Sequence, residues 1–137
     1  MRLRSFLIAL TVLAMASVAE AQQTKVKANI PFDFYAGDRN YPAGEYAVSS
    51  ITSNNSILRI DGNPEVSGTN LPSNACSLSR PSSQTKLVFH RMGGNYFLYQ
   101  VWIDGNLDGR QFPMSRTEIR LAQNDKMSTV IVAANKK

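Results

Sequence analysis

Apolar and polar residues alternate strictly from Lys25 to Tyr35, with Val26, Ala28, Ile30, Phe32 and Phe34 on one side and Lys25, Lys27, Asn29, Asp33 and Tyr35 on the other. A period of two is the pattern of a strand with one buried face. Pro31 has no amide hydrogen to give to a ladder, so the strand is expected at a sheet edge or broken at that point. After a turn over Gly37 to Pro42, a second strand is predicted over Glu45 to Ile51 and a third over Ile57 to Asp61. The polar run Ser53-Asn54-Asn55-Ser56 joins these two as a hairpin. From Asp61 to Lys86 apolar residues are sparse, and Pro64, Pro72 and Pro81 interrupt the stretch. At most one short strand fits there, near Val66 to Asn70. The rest is expected to be surface loop, because it buries too little apolar area to offset its ordering.

Lys86 to Met92 and Tyr96 to Asp104 are the most strand-like segments, and Gly93-Gly94 between them suits a tight turn. A two-residue turn sets Met92 opposite Asn95, then Arg91 with Tyr96, His90 with Phe97, Phe89 with Leu98 and Val88 with Tyr99. One face then carries Leu87, Phe89, Tyr96, Leu98 and Trp102, and the other Val88, Phe97, Tyr99, Val101 and Ile103. Both are apolar, so both are expected to be covered. The face with Phe89 is assigned to the core, and the other to a helix bearing Ile119 and Leu121 or to a partner. Any part of it left open makes Phe97 and Tyr99 the candidate binding residues.

The helix is signalled by Ser115-Arg116-Thr117-Glu118. Ser115 caps the third helical amide, Glu118 is expected to reach back to the amide of Ser115, and Met114 with Ile119 forms a hydrophobic staple. Asn124 ends the helix, and Met127 to Ala133, with consecutive β-branched residues, returns to strand. The pattern therefore predicts an all-β fold, an antiparallel sandwich or small barrel of about seven strands with one short helix near the C-terminus.

Composition narrows the chemistry. The 137 residues include one His and one Cys, which excludes a zinc cage, a disulfide framework and a multi-histidine site. Arg2 and Arg4, the uncharged run Phe6 to Ala19, and Ala19-Glu20-Ala21 form an export signature with cleavage expected after Ala21. The run is shorter than the roughly 20 residues a spanning helix needs. Residues 1–21 are thus expected to be a signal peptide and 22–137 a single β-rich domain of the periplasm or cell exterior, with no membrane span after cleavage. The net charge is +5, but the excess that survives cleavage lies in Lys25, Lys27, Lys136 and Lys137 at the ends. Nucleic acid, which needs clustered Lys and Arg, is therefore not an expected partner.

Ile30-Pro31-Phe32-Asp33-Phe34, Pro42-Ala43-Gly44-Glu45-Tyr46, Lys86-Leu87-Val88-Phe89-His90-Arg91 and Tyr96-Phe97-Leu98 ahead of Trp102 resemble the motifs of a set of small exported bacterial proteins without an assigned activity. Pro113 and Ser115-Arg116 match the place where those proteins begin a helix. The chain departs from them at Met92, where an aromatic is expected, and in the loop after Trp102. The resemblance implies an exported β-rich domain and supplies no reaction.

Candidate site residues are few. Gly44 and Tyr46 after Pro42 read as a tyrosine corner, in which the hydroxyl bonds backbone a few residues upstream. Asp104, Asn106 and Asp108 before Gly109 fit the start of a calcium loop, but position 12 is Ser115 where a bidentate Glu belongs, so the turn reading prevails. His90 has no nucleophile motif to serve, and Cys76 lies among Ser, Asn and Pro with no activating neighbour. No cofactor and no catalytic residue is expected. The chain reads as a non-catalytic exported domain that binds or associates with a protein or an envelope polymer. The alternatives are a carbohydrate-binding module, which needs exposed Tyr96, Tyr99 or Trp102, and a small hydrolase, which needs paired carboxylates.

Overall fold

The computed structural model describes residues 25–62 and 67–136, so the leader expected over residues 1–21 lies outside the described residues. Two open sheets face each other, with no closed barrel. The first sheet runs in the order β12-β1-β4-β5-β6, where β1 is Lys25–Ile30, β4 Gly44–Ser50, β5 Ile57–Asp61, β6 Thr69–Pro72 and β12 Asn135–Lys136. The second runs β11-β8-β9-β10-β7, with β7 Asn74–Ser77, β8 Lys86–Met92, β9 Asn95–Trp102, β10 Asp108–Gln111 and β11 Met127–Ala133. Two further short strands, β2 (Phe34–Ala36) and β3 (Arg39–Tyr41), form a hairpin that joins the second sheet through a parallel bridge from Tyr35 to Phe97.

The chain crosses between sheets at short breaks. Pro31 ends β1, and Phe34 begins β2 in the other layer, so the alternation that runs through Pro31 belongs to two strands on two sheets. Val26, Ala28, Ile30, Tyr46, Val48, Leu58 and Ile60 point inward from the first sheet and meet Phe34, Leu87, Phe89, Leu98, Val101 and Val132 from the second. Phe34 packs edge-on against Tyr46 and Phe89, with ring centroids 5.0 and 5.6 Å apart. Such contacts add to the apolar burial that holds the layers together.

The stretch from Asp61 to Lys86 holds two short strands, β6 and β7, where at most one, near Val66 to Asn70, is expected. Each is a four-residue edge strand whose backbone bonds to a neighbour suffice without an apolar face, so hydrophobic pattern does not reveal it. Similarly, Gly37 to Pro42 holds β3, whose Tyr41 is fully buried, with its hydroxyl donating to Thr69 Oγ1. The hairpin β8–β9 keeps the predicted register from Met92–Asn95 to Phe89–Leu98, then shifts, so that Val88 pairs with Gln100 rather than Tyr99. That bulge reverses the parity of β9 beyond Tyr99. Val101 and Ile103 turn to the core and Trp102 to the outer face, the opposite of the unbroken register.

The helix α1, Arg116–Ala122, lies on the outer face of the second sheet. Ser115 Oγ accepts from the Glu118 amide, which fixes the helix start. The side chain turned to the sheet is Glu118, 3% exposed, while Ile119 is 49% exposed. The helix therefore presents a different face from the expected one. Ile119 lies about 100° round the helix from Glu118. Among the described residues no helix is long and apolar enough to cross a membrane.

Candidate functional site

At one end of the sandwich the layers separate around a cleft of about 360 Å³. Val26, Val48 and Leu58 line it from the first sheet and Val101 and Ile103 from the second. The bulge in the β8–β9 hairpin creates this space. An unbroken register would turn Trp102 inward, whereas in the folded chain its ring lies over Gly109, 3% exposed, with Nε1 donating to Gln100 Oε1 at 3.0 Å. A β-carbon added at Gly109 would stand 2.6 Å from the Trp102 ring, so only glycine lets the indole lie flat there. The smaller Val101 and Ile103 are left as the inner wall.

Polar groups gather at the margin. Asp108 and Arg110, two apart on β10, fall on one face and both line the cleft, as do Ser49, Asn55 and Asn106. Arg110 is held by Ser73, donating from Nε to its Oγ (3.0 Å) and from a terminal nitrogen to its carbonyl oxygen (2.7 Å). Ser73 is where the chain passes from β6 to β7, and its hydroxyl donates to the carbonyl of Asn55 at 2.7 Å. Asn55 adopts φ 59°, a left-handed conformation that Asn tolerates better than most residues. One corner thus fixes the β4–β5 turn, the sheet crossing and the guanidinium together. Asp108 Oδ1 accepts from the Ser77 hydroxyl at 2.8 Å.

The sequence-derived candidates separate into distinct places. Asp104 and Asn106 are exposed on a turn around Gly105, while Asp108 has left that turn for β10. The turn is held by backbone bonds, the Gly105 amide donating to the Ser82 carbonyl, the Ser82 amide to the Asn106 carbonyl and the Asn106 amide to the Ile103 carbonyl. Among the described residues no three His, Cys, Asp or Glu side chains converge as they would on a metal ion. The Tyr46 hydroxyl donates to the Pro42 carbonyl at 2.6 Å, the bond of a tyrosine corner, and Gly44 begins the strand that carries it. Burial above all, with Tyr41 and Asp33 adding to it, raises the Tyr46 pKa and keeps the donor protonated.

Ser115 and Glu118 form half of the expected capping box. The Glu118 carboxylate does not return to Ser115; Oε1 pairs with His90 Nδ1 at 2.8 Å beneath the helix, and the imidazole stacks on Tyr99 at 3.8 Å. Phe97 is 1% exposed with Tyr35 stacked on it, so it offers no face to a partner, and Tyr99 is half-buried with one ring face taken by His90. Tyr96 stacks on Phe32 at 3.8 Å. Burial pushes the Cys76 thiol up, against the lowering effect of Arg110 and of the Gly109 amide, which disfavours a reactive thiolate.

Sequence reading missed the cleft because its walls come from distant strands. Val48 and Leu58 were legible as inward residues from alternation. Arg110 was not, since Asp108-Gly109-Arg110-Gln111 carries no apolar pattern. Chemically the cleft offers apolar walls, one fixed cation, one carboxylate and side-chain amides, an arrangement suited to holding a small molecule. No protein-family model, no curated protein and no solved structure matches the chain.

Proposed function

We propose that this chain is a non-catalytic binding domain of the cell envelope, exported by the leader expected over residues 1–21. Its intersheet cleft receives a small molecule with an apolar body and one polar end. The observation that carries the reading is the cleft itself, about 360 Å³ with apolar walls and a margin bearing Asp108 and Arg110. Pockets that hold small ligands run from about 300 to 1,000 Å³ and combine apolar walls with a few convergent polar groups. The chemistry that a hydrolase would need is dispersed. The cleft lining contains a single carboxylate, Asp108, and His90 is on the outer face, paired with Glu118. Sugar stacking favours several exposed rings in a row, whereas Trp102 is 3% exposed and Tyr96 and Tyr99 are half-buried, each with one face against another ring.

Isothermal titration of the full chain with decanoate and with decan-1-ol tests the reading. Heat of binding from either probe is expected, and Ile103→Trp, which fills the cleft from its wall, should abolish it while a cooperative melt is retained. Absence of heat from both probes, or heat that survives Ile103→Trp, overturns the cleft as the binding site.

A further inference from the structure

The edges of the two sheets are protected unequally. In the first sheet, β12 is two residues long and contains Lys136, and β6 is four residues long and ends at Pro72. In the second, β7 is four residues long, and β3, which pairs only with β2, is three residues long and begins at Arg39. Shortness, charge and proline are the usual means by which an edge avoids pairing with another chain. The remaining edge, β11, has none of them. It runs seven residues, Met127 to Ala133, without a charge, a proline or a bulge, and pairs continuously with β8 from Met127–Met92 to Ala133–Lys86. Among the described residues no strand pairs with its other edge.

The side chains beside this edge are also unprotected. Val132 points to the core, whereas Met127 and Ile131 lie on the outer face at 49% and 52% exposure. Helix α1 covers β8 through Glu118 and His90 but stops short of them, and Ile119 on the helix is itself 49% exposed. An open row of backbone donors and acceptors is therefore flanked by apolar side chains on the same side of the sheet.

We propose that β11 is the interface of a homodimer, in which two copies pair antiparallel about a two-fold axis at Val130 and merge their second sheets into one. The sequence of β11 suits a second copy. Pairing about Val130 uses all seven residues and sets Thr129 opposite Ile131 and Met127 opposite Ala133, so outer-face residues meet outer-face residues and core-side residues meet core-side residues. A one-residue slip would set the two faces against each other. No like charges oppose, because the strand carries none. A two-fold contact of this kind consumes the open edge of both copies, which closes the assembly as a dimer instead of extending it. The cleft lies at the other edge of the sheet, along β10 and β9, and plays no part in the pairing.

Sedimentation velocity of the full chain over a wide concentration range, with Ile131→Lys and Thr129→Lys as comparators, tests this. Both positions are exposed, and each substitution brings like charges together across the axis. The expected result is a species of twice the chain mass for the unaltered protein. In either variant that retains a cooperative melt, a species of the chain mass is expected. An unaltered protein of any other mass, or dimers that persist in both variants, overturns the proposal. Loss of probe binding in the cleft would leave this result unchanged, so the two readings fail separately.

Discussion

On its inner face the second sheet meets another sheet, and Leu87, Phe89, Leu98 and Val101 close against Val26, Ile30, Val48 and Ile60 by shape alone. On its outer face the same strands meet one seven-residue helix, and the contact that seats it is the pair between Glu118 and His90. Val88, Met92, Phe97 and Trp102 are as well buried outside as the core residues are within. The difference lies in what aligns the cover. A sheet is positioned along its whole length by many contacts, whereas a short helix has few side chains to offer. A directional bond between two buried groups then fixes where it sits. All buried side-chain donors and acceptors among the described residues have a partner, so the polar contact is made without leaving an unpaired group.

The largest expected effect is on the inner face. Phe89 is fully buried at the centre of the aromatic cluster, and Phe89→Ala should cost about 4 kcal/mol through lost burial and the cavity left behind. Urea unfolding should show one cooperative transition at a lower midpoint. A separate early transition of the outer layer would break the comparison, since it would mean that the inner face does not hold both layers.

Next is Glu118→Leu, which leaves His90 Nδ1 buried without its acceptor at a cost of about 2 kcal/mol. Glu118→Gln, which keeps an oxygen for the imidazole, should recover most of it. Hydrogen exchange should rise across Arg116–Ala122 more than across β1 and β4, because the helix opens as a local unit. Equal loss in the Leu and Gln variants would show that the charge, and not the hydrogen bond, seats the helix.

The smallest effect concerns a polar bond at the rim of the inner layer. Tyr46→Phe removes the donor to Pro42 while the ring stays packed, and should cost about 1 kcal/mol in urea midpoint. A cost equal to that of Glu118→Leu would erase the distinction between a polar bond that trims a packed layer and one that positions a layer.

Much of this was legible in the residues. Local signals fixed β5, β11, the β8–β9 hairpin and the helix start at Ser115, because alternation, turn glycines and a capping serine act within a few residues of themselves. Coverage of both faces of β8 and β9 followed from apolar residues on both sides. What local signals could not supply was the partner of each side chain. Glu118 at the third helical position has two acceptable destinations, the Ser115 amide and any buried donor nearby, and only the packing of α1 over β8 brought His90 within reach. The strands β7 and β10 left no hydrophobic trace, since short segments are held in a sheet by backbone bonds that every residue type can make.

Alternation, turn residues and composition determined by themselves an antiparallel β fold with one capped helix and an apolar hairpin, because each of these depends on neighbours along the chain. Tertiary structure alone decided the bulge after Leu98, and with it the direction of Val101, Trp102 and Ile103. A strand's pattern gives the two faces but not the point at which an inserted residue exchanges them. That point is set by fitting Trp102 over Gly109 from another strand, and the exchange is what opens the cleft between the sheets.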